Sequence, residues 1–297
     1  MAVGDGHLLH VEECGSADGL PVLFLHDGLG LGCQPEHRRL FDPQRYRVVM
    51  IDMRGTGRSL PRGELEANTT ADLICDIDYV REALAIEQWL VFGTAWGSLL
   101  ALAYAELYVE RVLGLVLSGI LFGSSQEIHA YVQDAQCHGD PWQTLAAAMP
   151  VDERPELLKA LSQRILGSDE AERATASHAW LNYKQELIGQ PLLAFPPDED
   201  QLAQARVQMH YLVHNCFISP ERLLAGVDRL RHLPGAIVQG RADPICLTST
   251  AERLHRAWPE ATWFPVANGG YGSLSPPIAR ACIKALGWVA ECVEATD

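Results

Sequence analysis

The chain has 297 residues, 48% of them hydrophobic, which suits one large core carrying an insertion. Its formal charge of −15 repels phosphates and argues against nucleic acid and anionic membrane as partners. Neither a leader-like N-terminus nor an uninterrupted apolar stretch of ~20 residues occurs, so a cytoplasmic protein is expected. Eight scattered cysteines without a Cys-x-x-Cys pair signal no disulfide framework or zinc knuckle, and reduced, mostly buried thiols are expected.

In chain order, β-rich runs fall at 20–26, 46–52, 89–93, 112–119, 235–240 and 261–266. Helical patterns lie between them, among them 70–86, opened by Thr70 as a candidate cap, and 97–108. Strands alternating with helices predict an α/β fold with a mostly parallel sheet flanked by helices. The rhythm stops after about residue 122 and resumes near 232, leaving a helical stretch between two parts of the core. The expected organisation is a core of residues 1–122 and 232–297 with an inserted helical cap of residues 123–231. Such a cap lies over the carboxyl ends of the strands, where open α/β sheets bind ligands.

The segment "VFGTAWGSLLALAYA" (91–105) has the layout of a nucleophile elbow, a strand, a sharp turn and a helix. Its central residue is Ala95, which carries no nucleophile. Together with "LFLHDGLGLG" (23–32), "IDMRGTGRS" (51–59) and "VQGRADPIC" (238–246), it resembles the proline iminopeptidase branch of the α/β-hydrolases. The resemblance implies a Ser-His-Asp triad at Ala95, Tyr271 and Asp243, of which only the aspartate is present. It also implies two cap carboxylates that hold a substrate ammonium, in stretches that here read "WLNYK" (180–184) and "VQMHY" (207–211). Lys184 and Gln208 stand there, beside Tyr183, and a lysine ammonium repels such a substrate.

Loss of the serine or histidine of such a triad costs about a million-fold in turnover, by a subtilisin comparison. A phenol with a pKa of ~10 is a poor base near neutral pH. Departures at residues 95, 184, 208 and 271 lie far apart, so a single change at the elbow does not account for them. What the resemblance leaves is an oxyanion hole from the N–H groups of Gly28 and Trp96. Asp27, in place of a family glycine, would oppose an oxyanion there or act as a base. Asp243 without its imidazole is expected to have a raised pKa. Its alternative role is to cap its own loop. Tyr271 could donate to a substrate oxygen, Lys184 could bind a carboxylate or phosphate, and each could equally serve packing.

His26 is expected to order its strand, and Ser98 and Thr94 flank the elbow without replacing the nucleophile. His210 and His214, near Cys216, have an i, i+4 spacing that suits a metal, but a structural role is favoured and no metal or cofactor is expected. The leading expectation is a repurposed, non-hydrolytic small-molecule enzyme of lyase, isomerase or cyclase type. The alternatives are a non-catalytic ligand-binding protein and a serine aminopeptidase or esterase with alanine placed at residue 95 as a trap. The partner in each case is a small molecule, and oligomeric state stays open.

Overall fold

The computed structural model describes residues 1–295, apart from the side chains of 135–137. A short hairpin of β1 (Ala2–Gly4) and β2 (His7–Leu8) precedes a seven-stranded sheet. Its strands are β3 (His10–Gly15), β4 (Leu20–Leu25), β5 (Tyr46–Asp52), β6 (Trp89–Thr94), β7 (Val112–Ser118), β8 (Gly235–Gly240) and β9 (Thr262–Val266). The spatial order is β3-β5-β4-β6-β7-β8-β9, with only β3 antiparallel. β3 is half-buried at the edge and lacks the apolar run that marks the others, which is why its sequence does not announce it. β6 and β8 are buried at every position, as strands covered on both faces must be.

The helices are α1 (Thr70–Ala83), α2 (Trp96–Leu107), α3 (Ser125–Val132), α4 (Ala135–Ala147), α5 (Leu157–Ile165), α6 (Glu170–Leu187), α7 (Glu199–Val213), α8 (Pro220–Gly226), α9 (Thr248–Ala257) and α10 (Pro276–Glu294). The cap of α1 is Thr69 rather than Thr70: its hydroxyl and the Asp72 carboxylate satisfy each other's backbone N–H groups. That helix stops at Ala83, short of residue 86, and Ala85 follows with φ 51°.

Three apolar clusters organise the packing. Leu73, Ile77, Leu99 and Leu102 from α1 and α2 cover one sheet face, and Ile278, Cys282, Leu286 and Val289 from α10 cover the other. Each such side chain removed from water contributes about 1.5–3 kcal/mol. The third cluster belongs to the inserted helices, with Trp180, Leu161, Met209 and Ile165 at its centre. Leu223, Val227 and Leu230, which follow, instead join the sheet cluster beside α2. Of the described cysteine side chains, Cys33, Cys216, Cys246 and Cys282 are buried; Cys137 lies outside the described side chains. Among the described residues, no helix is long and apolar enough to cross a membrane.

Parallel strands deliver their carboxyl ends to one edge of the sheet. Asp27 and Gly28 follow β4, Ala95 follows β6, Gly119 follows β7, Asp243 follows β8 and Tyr271 follows β9. Residues distant in the chain meet there, beneath α6 and α7.

Candidate active site

The β6–α2 junction is a strained turn. Ala95 has φ 48° and ψ −113°, a conformation that costs an alanine about 1–3 kcal/mol. Two glycines make the turn possible: a Cβ on Gly93 would lie 2.2 Å from the Gly97 oxygen, and one on Gly97 would lie 2.2 Å from the Leu25 oxygen. The Ala95 N–H donates to the Ser118 carbonyl at 2.8 Å, tying the apex to β7. Ser98 turns its hydroxyl back onto the Ala95 carbonyl at 2.6 Å, and the Thr94 hydroxyl is buried without a partner. The apex therefore offers a methyl group, and the Ser98 hydroxyl is turned back onto its helix rather than presented in its place.

Trp96 opens α2, so its N–H is one of the orphan donors at the positive end of the helix. Gly28 and Trp96 line one chamber with Ala95, an arrangement suited to binding an oxyanion. The "IDMRGTGRS" turn stays outside that chamber and braces the loop behind it. Asp52 accepts from the N–H groups of Cys33 at 2.7 Å and Arg58 at 2.9 Å, while Arg54 forks onto Asp76 at 2.6 and 2.8 Å. His26 is buried against the Trp96 ring, and burial pushes its pKa down to about 4, so it is neutral.

Ala95, Asp27, Asp243 and Tyr271 border a void of ≈ 10 Å³, room for about one water-sized sphere. Asp243 Oδ1 accepts from the N–H groups of Ile245 at 2.9 Å and Cys246 at 2.8 Å. Burial nevertheless raises its carboxyl to about 6, against the pull of those two donors and of Lys184. Burial and the two carboxylates raise the Tyr271 phenol well above its ordinary range, so it remains a hydrogen-bond donor. Burial also keeps the neighbouring Cys246 thiol protonated.

Asp27 does not enter the chamber of Gly28 and Trp96; it faces His37, whose Nε2 lies 3.6 Å from Oδ1. The Gln34 N–H donates to His37 Nδ1 at 2.9 Å, which places the ring hydrogen on Nε2, facing Asp27. Burial works to raise the Asp27 pKa, but His37 and Lys184 prevail and hold it below the usual carboxylate range. His37 sits in a short 3-10 helix, Pro35–Leu40, and no motif in the sequence singles it out.

From the inserted helices, Lys184 places its ammonium 3.5 Å from the Tyr271 hydroxyl and 4.7 Å from its ring centre. Desolvation lowers its pKa, with Asp27 and Asp243 opposing. Gln208 has both ends occupied: its amide donates to the Leu29 carbonyl at 2.9 Å and its oxygen accepts from the Trp180 indole at 2.6 Å. Tyr183 does not reach the chamber. It packs against Tyr131 and Trp180 and donates to the Tyr131 carbonyl, because its turn of α6 faces the inserted helices' own core.

The chamber has a volume of ≈ 70 Å³ and is walled by Leu29, Trp96, Leu121, Ile128, Trp180 and Leu212. Glu127 also lines it, signalled in sequence only as the partner of Ser124 in a capping box, and its oxygens accept from Phe122, Ser124 and Thr250. Among the described residues no histidine lines the chamber. His210 and His214 lie apart from it: His210 Nε2 is 2.8 Å from the Asn68 carbonyl, and His214 Nδ1 is 2.7 Å from the His210 carbonyl. No group of three or more potential ligands is placed to hold a metal among the described residues.

A parallel sheet with a strained strand–helix turn at its carboxyl edge defines the hydrolase architecture, and residues 21–271 match the family model described as the alpha/beta hydrolase fold. The chain is similar to the proline iminopeptidase of Xylella fastidiosa, 39% identical over 93% of this chain and 91% of the relative. It is likewise similar to that of Arabidopsis thaliana, 40% identical over 96% of this chain and 77% of the relative. A carboxylesterase structure from Nitrososphaera gargenis shares the fold at 18% identity, with a TM-score of 0.63 over 98% of this chain and 97% of its own. The chain belongs to the proline iminopeptidase family of α/β-hydrolases.

Proposed function

We propose that this family member does not form an acyl-enzyme and instead works on a small molecule by proton transfer and oxyanion binding, as a lyase, isomerase or cyclase. In this reading Ala95 and Tyr271 occupy the places of the family's serine and histidine, and helices within residues 123–231 act as the cap. The observation that carries it is the strained apex closed by a methyl group, with the Tyr271 phenol and, among the described residues, no imidazole bordering the void beside it. Asp243, raised to about 6, is the proton acceptor, matched to work near neutral pH. The N–H groups of Gly28 and Trp96 stabilise the charge that develops on the substrate oxygen. Asp27, turned towards His37, stays off that oxygen.

The family relatives bear the name of a peptidase, so hydrolysis is the activity to exclude first. Incubation with p-nitrophenyl acetate and with proline p-nitroanilide is expected to give no acyl adduct in the intact mass and no release above background. An adduct, or burst kinetics, overturns the proposal. Turnover of small carbonyl metabolites, followed by mass spectrometry, is expected in the parent and lost in Asp243→Asn. Stabilisation by a ligand with no product on prolonged incubation would mark a binding protein instead.

A further inference from the structure

Lys184 is a charged group of the site that makes no ion pair with the described residues. Among the described residues its ammonium has no carboxylate within ion-pair distance; its contacts are the Tyr271 hydroxyl at 3.5 Å and the Tyr271 ring at 4.7 Å. An ammonium carries three donors, and one long hydrogen bond leaves at least two of them for something else. The carboxylates nearby are already engaged, Asp27 facing His37 and Asp243 holding two backbone N–H groups. Asp27 and Asp243 offset the burial of this cation only from beyond ion-pair distance, which leaves its donors open to an anion that a ligand supplies.

Position specifies the rest. Lys184 and Tyr271 line both the inner chamber of ≈ 70 Å³ and an outer vestibule of ≈ 630 Å³, so the pair stands at the boundary between them. The Lys184 ammonium and the Tyr271 hydroxyl are two donors 3.5 Å apart, a spacing that the two oxygens of one carboxylate can bridge. Beyond them the chamber is mainly apolar, bounded by Leu29, Leu121, Ile128 and Leu212, with Glu127 held by its own hydrogen bonds, and Ala95, Gly28 and Trp96 line it too.

We infer that the ligand of this site is a small carboxylate with an apolar body, its carboxylate held by Lys184 and Tyr271 at the chamber mouth and its body directed towards Ala95. The inference rests on the function proposed above only for what happens inside the chamber; the binding preference stands by itself. It inverts the charge expected of a substrate that enters by a free amino terminus, because an ammonium at this mouth would meet another.

The test is binding, read without turnover. The intact protein is titrated by calorimetry and thermal shift with 3-methylbutanoate and benzoate, and in parallel with 3-methylbutanamide, benzamide and 3-methylbutylamine. Carboxylates are expected to bind about 10- to 100-fold more tightly than the amides, as befits charge-assisted hydrogen bonds, with no detectable binding of the amine. Lys184→Met is expected to remove that preference and Tyr271→Phe to reduce it several-fold, while Lys184→Arg restores part of it. Equal binding of acid and amide, preference for the amine, or undiminished carboxylate binding by Lys184→Met overturns the inference. Should Lys184→Met not fold, the acid–amide comparison on the parent decides. Carboxylate binding without any product leaves the inference standing and the catalytic reading refuted; turnover of neutral compounds without carboxylate binding does the reverse.

Discussion

The β6–α2 turn and the wall that faces it differ in which level of structure they preserve. At the turn the backbone keeps a strained φ of 48° at Ala95 and two glycines that admit no Cβ, although no hydroxyl sits at the apex. At the wall, from α6 and the loop after β9, the differences lie in side chains: Lys184 rests over Tyr271, with Asp243 raised to about 6. Backbone donors such as the Trp96 N–H depend on the shape of the turn and tolerate any small apex residue. Acid, base and charge selectivity depend on individual side chains, which can change while the fold stays. On the function proposed here, a hydrolase framework is kept while its reaction changes.

The largest expected effect that probes this contrast is on turnover: Asp243→Asn lowers the rate with the protein's own substrate by about 10²- to 10⁴-fold. The pH–rate profile of the parent should rise through about 6, and that rising limb should vanish in the variant. The backbone side is broken by Gly97→Ala, whose Cβ would lie 2.2 Å from the Leu25 oxygen. A loss of about 3 kcal/mol or more in urea unfolding, or no folded protein, is expected.

Next comes Asp243 as a stability element. The folded carboxyl, at about 6, retains a proton that the unfolded chain, at 3.8, has released, so stability falls as pH rises between those values. Asp243→Asn should remove that slope and stabilise the protein at pH 7 by about 1–3 kcal/mol. Gln208→Glu should cost about 1–3 kcal/mol, because a carboxylate oxygen would face the Leu29 carbonyl that the amide now satisfies. The smallest change is expected from Ala95→Ser, which should leave hydrolysis of proline p-nitroanilide at background. A rise of several orders of magnitude would show that a base is present after all.

Much of the fold was legible because strands covered on both faces read as continuous apolar runs. "YRVVMID" and "GAIVQG" coincide with β5 and β8, whereas β3, half-buried at the edge, left no comparable trace. In the site, the apex at Ala95 could be placed from local turn chemistry, and Gly28 and Trp96 from the family resemblance. His37 and Glu127 could not: one serves a short 3-10 helix and the other a cap, and their proximity to the site comes from contacts distant in sequence. Tyr183 shows the converse limit, since it neighbours Lys184 in the chain but lies on the side of α6 that faces other helices.

The amino-acid order by itself determined the parallel core, the elbow and the absence of a hydroxyl at its apex, because apolar runs, glycine spacing and residue identity are local properties. Tertiary structure alone decided that Lys184 rests on Tyr271, that Asp27 turns to His37 and that Asp243 is buried enough to hold its proton near 6. Those facts depend on distance and desolvation between segments brought together by strand order, which no single segment encodes.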